Sequence, residues 1–180
     1  MSSVPNTPPW VSEESFLAGP ETTQQVELLD GEVIVSPSPN LAHQHIVGGL
    51  FLALKTWQKA NPKATIGLSP LDLRIAPNRI LQPDLFVICD AIAETMPITA
   101  VPELIIEVLS SNRSYDRLAK RFVYEEAGVH EYWMVDADRR CIEVVVAGEL
   151  RVETESVQSS SLEGLLVVDV ATLFGPLSTE

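Results

Sequence analysis

Two almost wholly apolar runs, each carrying one acidic residue, constrain this chain more than any other feature. Pro83-Asp84-Leu85-Phe86-Val87-Ile88 carries Asp84 at its start, and Leu104-Ile105-Ile106-Glu107-Val108-Leu109 is interrupted by Glu107. Short, near-continuous apolar runs read as strands buried on both faces, which requires layers above and below them. A carboxylate in such a strand is costly unless it is paired or binds metal. Were the strands adjacent, the two acids would converge at one end of the sheet. With water and a backbone carbonyl they would then form the oxygen-rich shell that Mg²⁺ prefers. The competing reading has Asp84 capping its strand and Glu107 facing an arginine.

The rest of the chain supplies the layers. Ser12 to Pro20 reads as a short capped helix stopped by Gly19-Pro20. Val26 to Val35 reads as a hairpin about Asp30-Gly31, the two-residue turn whose central positions need positive φ. Across it, Glu27, Leu29, Glu32 and Ile34 share one face. Val26, Leu28, Val33 and Val35 share the other, which is wholly apolar and is expected to meet the core. After the loop Ser36-Pro37-Ser38-Pro39-Asn40, Val47, Leu50, Leu54 and Trp57 mark a helix of about twenty residues, ended by Asn61-Pro62. Stepping that row back four residues reaches His43. Strands are expected at 64–68, 71–75, 131–135 and 141–146, with a turn through Ala76 to Arg79 and a weak helix at 170–174. The pattern is α/β or α+β: a mixed β-sheet with flanking helices.

A further helix is expected from near Ser114 to Gly128, whose tolerance of positive φ suits a C-terminal cap. A helical wheel places Leu118, Ala119, Phe122, Val123 and Ala127 on a broad inward face and Arg117, Arg121 and Glu125 outward. Asp116, Lys120 and Tyr124 run along the border, where the Lys120 ammonium could lean over the carboxylates. An ordinary Asp116–Lys120 helix ion pair is the alternative.

Twelve Lys and Arg against 25 Asp and Glu give a formal net charge of −13. That argues against a non-specific polyanion binder, whose affinity comes from phosphate neutralisation, but leaves room for a nuclease that reaches phosphate through a cation. Cys89 and Cys141 stand far apart without CxxC spacing and read as reduced, packed thiols. No run approaches the ~18 apolar residues of a membrane helix, and Met1 to Pro9 carries no basic residue or apolar stretch of a secretory signal. The expectation is a cytoplasmic protein with a flexible arm over residues 1–11 and one domain over 12–175.

Taken in order, Pro83-Asp84, Glu107-Val108-Leu109-Ser110, Asp116, Lys120, Tyr124, Gly128-Val129 and Glu131-Tyr132-Trp133 resemble the bacterial "putative restriction endonuclease" domain family. That family is similar to the PD-(D/E)xK nuclease superfamily. The hairpin Glu27 to Glu32, Ser36-Pro37-Ser38-Pro39 and His43 match its N-terminal half, so the resemblance spans about Ser12 to Phe174. It implies a restriction-endonuclease-like fold, with Asp84, Glu107 and the Val108 carbonyl as ligands of Mg²⁺ (or Mn²⁺) and DNA as substrate. Such enzymes commonly act as homodimers, matching the two-fold symmetry of duplex DNA. The usual lysine two residues after the glutamate is Leu109 here, so Lys120 would supply the amine from a migrated position. Glu32 is a candidate further ligand, Glu27 a weaker one, and His43 an outer member of the site. Tyr124 and Trp133 read as packing residues, Tyr124 with its hydroxyl toward the site; His45 and His130 carry no signal. The alternative function is a catalytically inactive module of the same fold serving protein–protein interaction.

Overall fold

The two acid-bearing runs form the middle of a six-stranded sheet. The computed structural model describes residues 10–20, 22–109 and 115–175, with only the backbone element given for residues 115–117. Residues 1–9 of the arm expected over 1–11, the helix start near Ser114, and the side chains of Asp116 and Arg117 therefore lie outside the described residues. In chain order the elements are α1 (Glu13–Leu17), β1 (Val26–Leu29), β2 (Glu32–Val35), α2 (Leu41–Gln58), β3 (Thr65–Leu68), β4 (Leu73–Ala76), β5 (Arg79–Leu81), β6 (Leu85–Ile88) and β7 (Leu104–Val108). A π-helical turn (Tyr115–Lys120) then leads into α3 (Arg121–Glu126), β8 (Glu131–Asp136), β9 (Cys141–Val146), β10 (Glu149–Glu153), β11 (Ser156–Gln158), β12 (Val167–Asp169) and α4 (Val170–Leu173).

The large sheet has the order β10-β9-β8-β7-β6-β3. Its β7–β8 pair is parallel and the other pairs are antiparallel. The parallel pair needs a crossover, which the π turn and α3 provide. Leu85 to Ile88 and Leu104 to Val108 are buried throughout, as expected of strands covered on both faces. On one side, Ile46, Val47, Leu50, Leu54 and Trp57 of α2 pack on Leu85, Val87, Leu104 and Ile106. On the other, Phe86, Ile88 and Ile105 meet Val123 and Tyr124 of α3 with Leu73 and Leu81.

Several sequence expectations change in detail. A second, four-stranded sheet β2-β1-β5-β4 stands apart from the first, and β11 and β12 form a ribbon of their own. The hairpin register is as read, with Glu27 opposite Ile34 and Leu29 opposite Glu32. Its apolar face is only partly buried: Leu28 is enclosed, but Val33 and Val35 are 40% and 55% exposed because β2 is an edge strand. The inward face of α3 also differs. Lys120, Val123 and Tyr124 are buried while Leu118 and Phe122 are exposed, so the stripe at i, i+3 and i+4 begins at the lysine. At the Lys120 end of this face lie the Glu27 and Glu107 carboxylates, so apolarity alone does not mark the inward residues.

Candidate active site

Asp84 precedes β6 and Glu107 lies near the end of β7, in the register where Leu85 pairs with Ile106. The next residues outward are Asp84 and Glu107, so antiparallel pairing sets the two acids opposite each other. The Asp84 carboxylate closes the strand end: its Oδ2 accepts the Val108 N–H at 2.8 Å. The Asp84 N–H reaches Oε2 of Glu107 at 3.4 Å.

Lys120 comes from the π turn. Its Nζ donates to Oε1 of Glu107 at 2.8 Å and stands 3.0 Å from Oε1 of Glu27. Isolated π turns are uncommon and cluster at functional sites. Tyr124, one helical turn on, donates its hydroxyl to Oε1 of Glu107 at 3.0 Å. Burial, reinforced by the charges of Glu107 and Glu27, holds the Tyr124 phenol well above its ordinary pKa, so it stays a protonated donor. Glu27 is completely buried and also accepts the Gln82 N–H at 2.8 Å.

His43 approaches from the opposite layer. Asn40 caps α2 by accepting the His43 N–H at 2.8 Å. In that first turn, Nε2 of His43 stands 3.2 Å from Oδ2 of Asp84. A cavity of about 710 Å³ opens over these groups, lined by His43, Asp84, Glu107, Val108, Leu109 and Lys120 and walled by the Ser36 to Asn40 loop and α2.

The structure thus brings Asp84, Glu107, Val108, Lys120 and His43 together. It does not bring in Glu32, which is exposed on β2 at the hairpin tip and does not line the cavity. Glu27, rated the weaker of the two hairpin acids by sequence, is the one that touches Lys120. Both share one hairpin face, and depth beneath the neighbouring sheet separates them. Gln82 and Ser69 were not visible in the sequence as parts of the site. Gln82 ties β1 to the loop before β6 through Glu27, and the Ser69 N–H donates to the Asp84 carbonyl at 3.1 Å. Trp133 is fully buried and donates to Glu131 at 2.7 Å, as a core residue. Neither cysteine is in a disulfide; Cys141 is buried and Cys89 half-buried.

The donor set suits a hard divalent cation. Among the described residues no group of three or more His, Cys, Asp and Glu side chains forms a metal cage. Asp84 and Glu107 set two carboxylates beside an open cavity, the number Mg²⁺ takes while keeping much of its water.

The family model described as "Putative restriction endonuclease", Uma2, matches residues 13–173. A crystal structure described as a putative nuclease belonging to DUF820, from Anabaena variabilis ATCC 29413, shares the fold with a TM-score of 0.75 at 22% identity. The likeness covers 91% of this chain and 97% of that one. No curated protein matches the chain significantly. No helix among the described residues is long and apolar enough to cross a membrane. With the family model covering nearly all of the chain, from α1 to the end of α4, the protein is a member of the Uma2 family of restriction-endonuclease-like proteins.

Proposed function

We propose that this protein is a Mg²⁺-dependent (or Mn²⁺-dependent) endonuclease that hydrolyses DNA phosphodiester bonds. Asp84, Glu107 and the Val108 carbonyl would hold the cation. When bound, the metal supplies positive charge that polarises a phosphoryl oxygen and acidifies water. The remaining roles belong to the chain. Lys120, fixed by Glu107 and Glu27, orients the attacking water and stabilises charge developing on the phosphorus oxygens. Tyr124 holds Glu107 in place by donating to its Oε1. His43 positions Asp84 from the α2 side.

One observation carries this reading. An acid before β6, an acid in β7 and an amine from the π turn, far apart in sequence, meet on the floor of one cavity. The homodimer belongs to the same proposal, as does a cytoplasmic location. Cleavage of plasmid and single-stranded DNA in Mg²⁺ or Mn²⁺ tests it. Wild type is expected to cut, and Glu107→Gln and Asp84→Ala to lose at least about a hundredfold in rate. A folded wild type that cuts no DNA with either metal would instead favour the non-enzymatic module.

A further inference from the structure

Between Glu32 and Asp72 the chain has no acidic residue. At its overall ratio of about one acid in seven, a stretch of about forty residues would carry about five. The only formal charges there are Lys55, Lys59 and Lys63, on a chain whose net charge is −13. This stretch forms the loop that walls the cavity, the whole of α2, and β3. Helix stability does not account for it. Lysines at the C-terminal end of α2 suit the helix dipole, but the first turn holds no acid, although an acid there would be equally favourable. That first turn is where His43 approaches Asp84.

Geometry joins the lysines to the site. Successive residues step about 100° round a helix, so Gln44, Phe51 and Lys55 lie within about 40° of one another. Gln44 and Phe51 line the cavity, and Lys55 continues that flank one turn beyond Phe51. Along the helix axis Lys55 is about 18 Å from His43 and Lys59 about 24 Å. Lys63 precedes β3, which runs back so that Leu68, Ser69 and Pro70 line the cavity. All three lysines are exposed, and among the described residues none pairs with a carboxylate; Lys55 donates to the Gln58 side chain. Arg74, Arg79, Arg121, Arg139 and Arg151, by contrast, each pair with one. At the far end Asp90 and Glu163 approach through their carbonyls, which accept from the Thr65 hydroxyl at 3.1 Å and the Trp57 indole at 2.9 Å.

We propose that this acid-free flank of α2 and β3 is the track for the backbone of duplex DNA leading away from the reacting phosphate, with Lys55, Lys59 and Lys63 on phosphates. This deepens the nuclease reading and rests on it. Phosphate neutralisation by lysine supplies most sequence-independent affinity for DNA. Acidic surface elsewhere repels the duplex, so a segregated cationic flank also fixes the direction from which it arrives. At about 3.4 Å per base pair, the two helical lysines meet phosphates about five to seven base pairs from the reacting one.

The test measures binding of a labelled DNA duplex by fluorescence anisotropy, in Ca²⁺ and over a series of salt concentrations. Wild type is compared with a triple variant, Lys55→Gln with Lys59→Gln and Lys63→Gln, and with the same three positions changed to Arg. Each phosphate contact contributes about 0.9 to the slope of log affinity against log salt, so the Gln variant is expected to be shallower by about 2–3. The loss is expected to be equal across duplex sequences, because phosphate contacts carry no sequence information. The Arg variant is expected to keep the wild-type slope, and both variants the wild-type Tm. A Gln variant with the wild-type slope, an Arg variant as shallow as the Gln one, or a wild type that binds no duplex would overturn the proposal. Metal-dependent cleavage by wild type together with an unchanged slope in the Gln variant would remove the track and leave the nuclease standing. Lysine-dependent binding without cleavage in Mg²⁺ or Mn²⁺ would do the reverse.

Discussion

The Lys120 ammonium lies 2.8 Å from Oε1 of Glu107, buried with it beneath α3. The same ammonium stands 3.0 Å from Glu27, so one cation serves two enclosed carboxylates. An amine at a solvent-exposed helix border would be removable at almost no cost to the fold. This one is not.

Lys120→Ala leaves Glu107 and Glu27 without their shared cation. Breaking a buried pair by removing one partner typically costs about 3–5 kcal/mol, and a loss of that order is expected in denaturant unfolding. Adding Glu27→Gln in the Lys120→Ala background removes one stranded charge and is expected to restore part of it. A Lys120→Ala protein as stable as wild type would mean that the cluster is not ionised as drawn.

Glu131 is a buried carboxylate of another kind. Burial pushes its pKa up, but donors from the Trp133 indole, the Ser159 hydroxyl and the Ser161 amide and hydroxyl outweigh this and lower it. A depressed folded-state pKa contributes stability that is fully present above the unfolded value of about 4.3 and is lost as pH falls through the folded value. Glu131→Gln is therefore expected to cost roughly 2 kcal/mol at neutral pH, with the difference from wild type shrinking in acid. Unfolding curves from pH 7 to pH 3 check this (roughly the range set by that carboxyl pKa). A difference that grows in acid would contradict it.

Gly67 on β3 faces Phe86 on β6 across the ladder, and a Cβ at Gly67 would fall about 2.0 Å from the Phe86 ring. The ring lies over the glycine, in the part of the sheet that positions Asp84. Gly67→Ala is expected to destabilise by about 1–3 kcal/mol through overpacking, and Phe86→Leu in that background to relieve part of it. Additive losses in thermal unfolding would mean that the ring is not what excludes the methyl group.

Much of this architecture was legible in the chain. β6, β7 and β8 announce themselves as buried apolar runs, α2 by the spacing of Val47, Leu50, Leu54 and Trp57, and the β1–β2 hairpin by Asp30-Gly31. Asp84 and Glu107 stood out because charge is rare in such strands. What escaped notice depended on tertiary context. β5 is three residues long and follows Asn78, whose positive φ makes the tight turn after β4. The division into two sheets has no local signature. The inward face of α3 was misread because helix periodicity assumes an apolar interior, and here Glu107 and Glu27 draw in Lys120 and leave Leu118 and Phe122 outside. Alternation placed Glu27 and Glu32 on one face, but only the three-dimensional packing buries the first and exposes the second.

Calorimetric titration of Mg²⁺ or Mn²⁺ into wild type, Asp84→Ala and Glu107→Gln is the most direct test of the site. Saturable binding is expected in wild type, absent in Asp84→Ala and weakened in Glu107→Gln. Equal binding by all three proteins, or none by wild type, would contradict a cation held between these two acids.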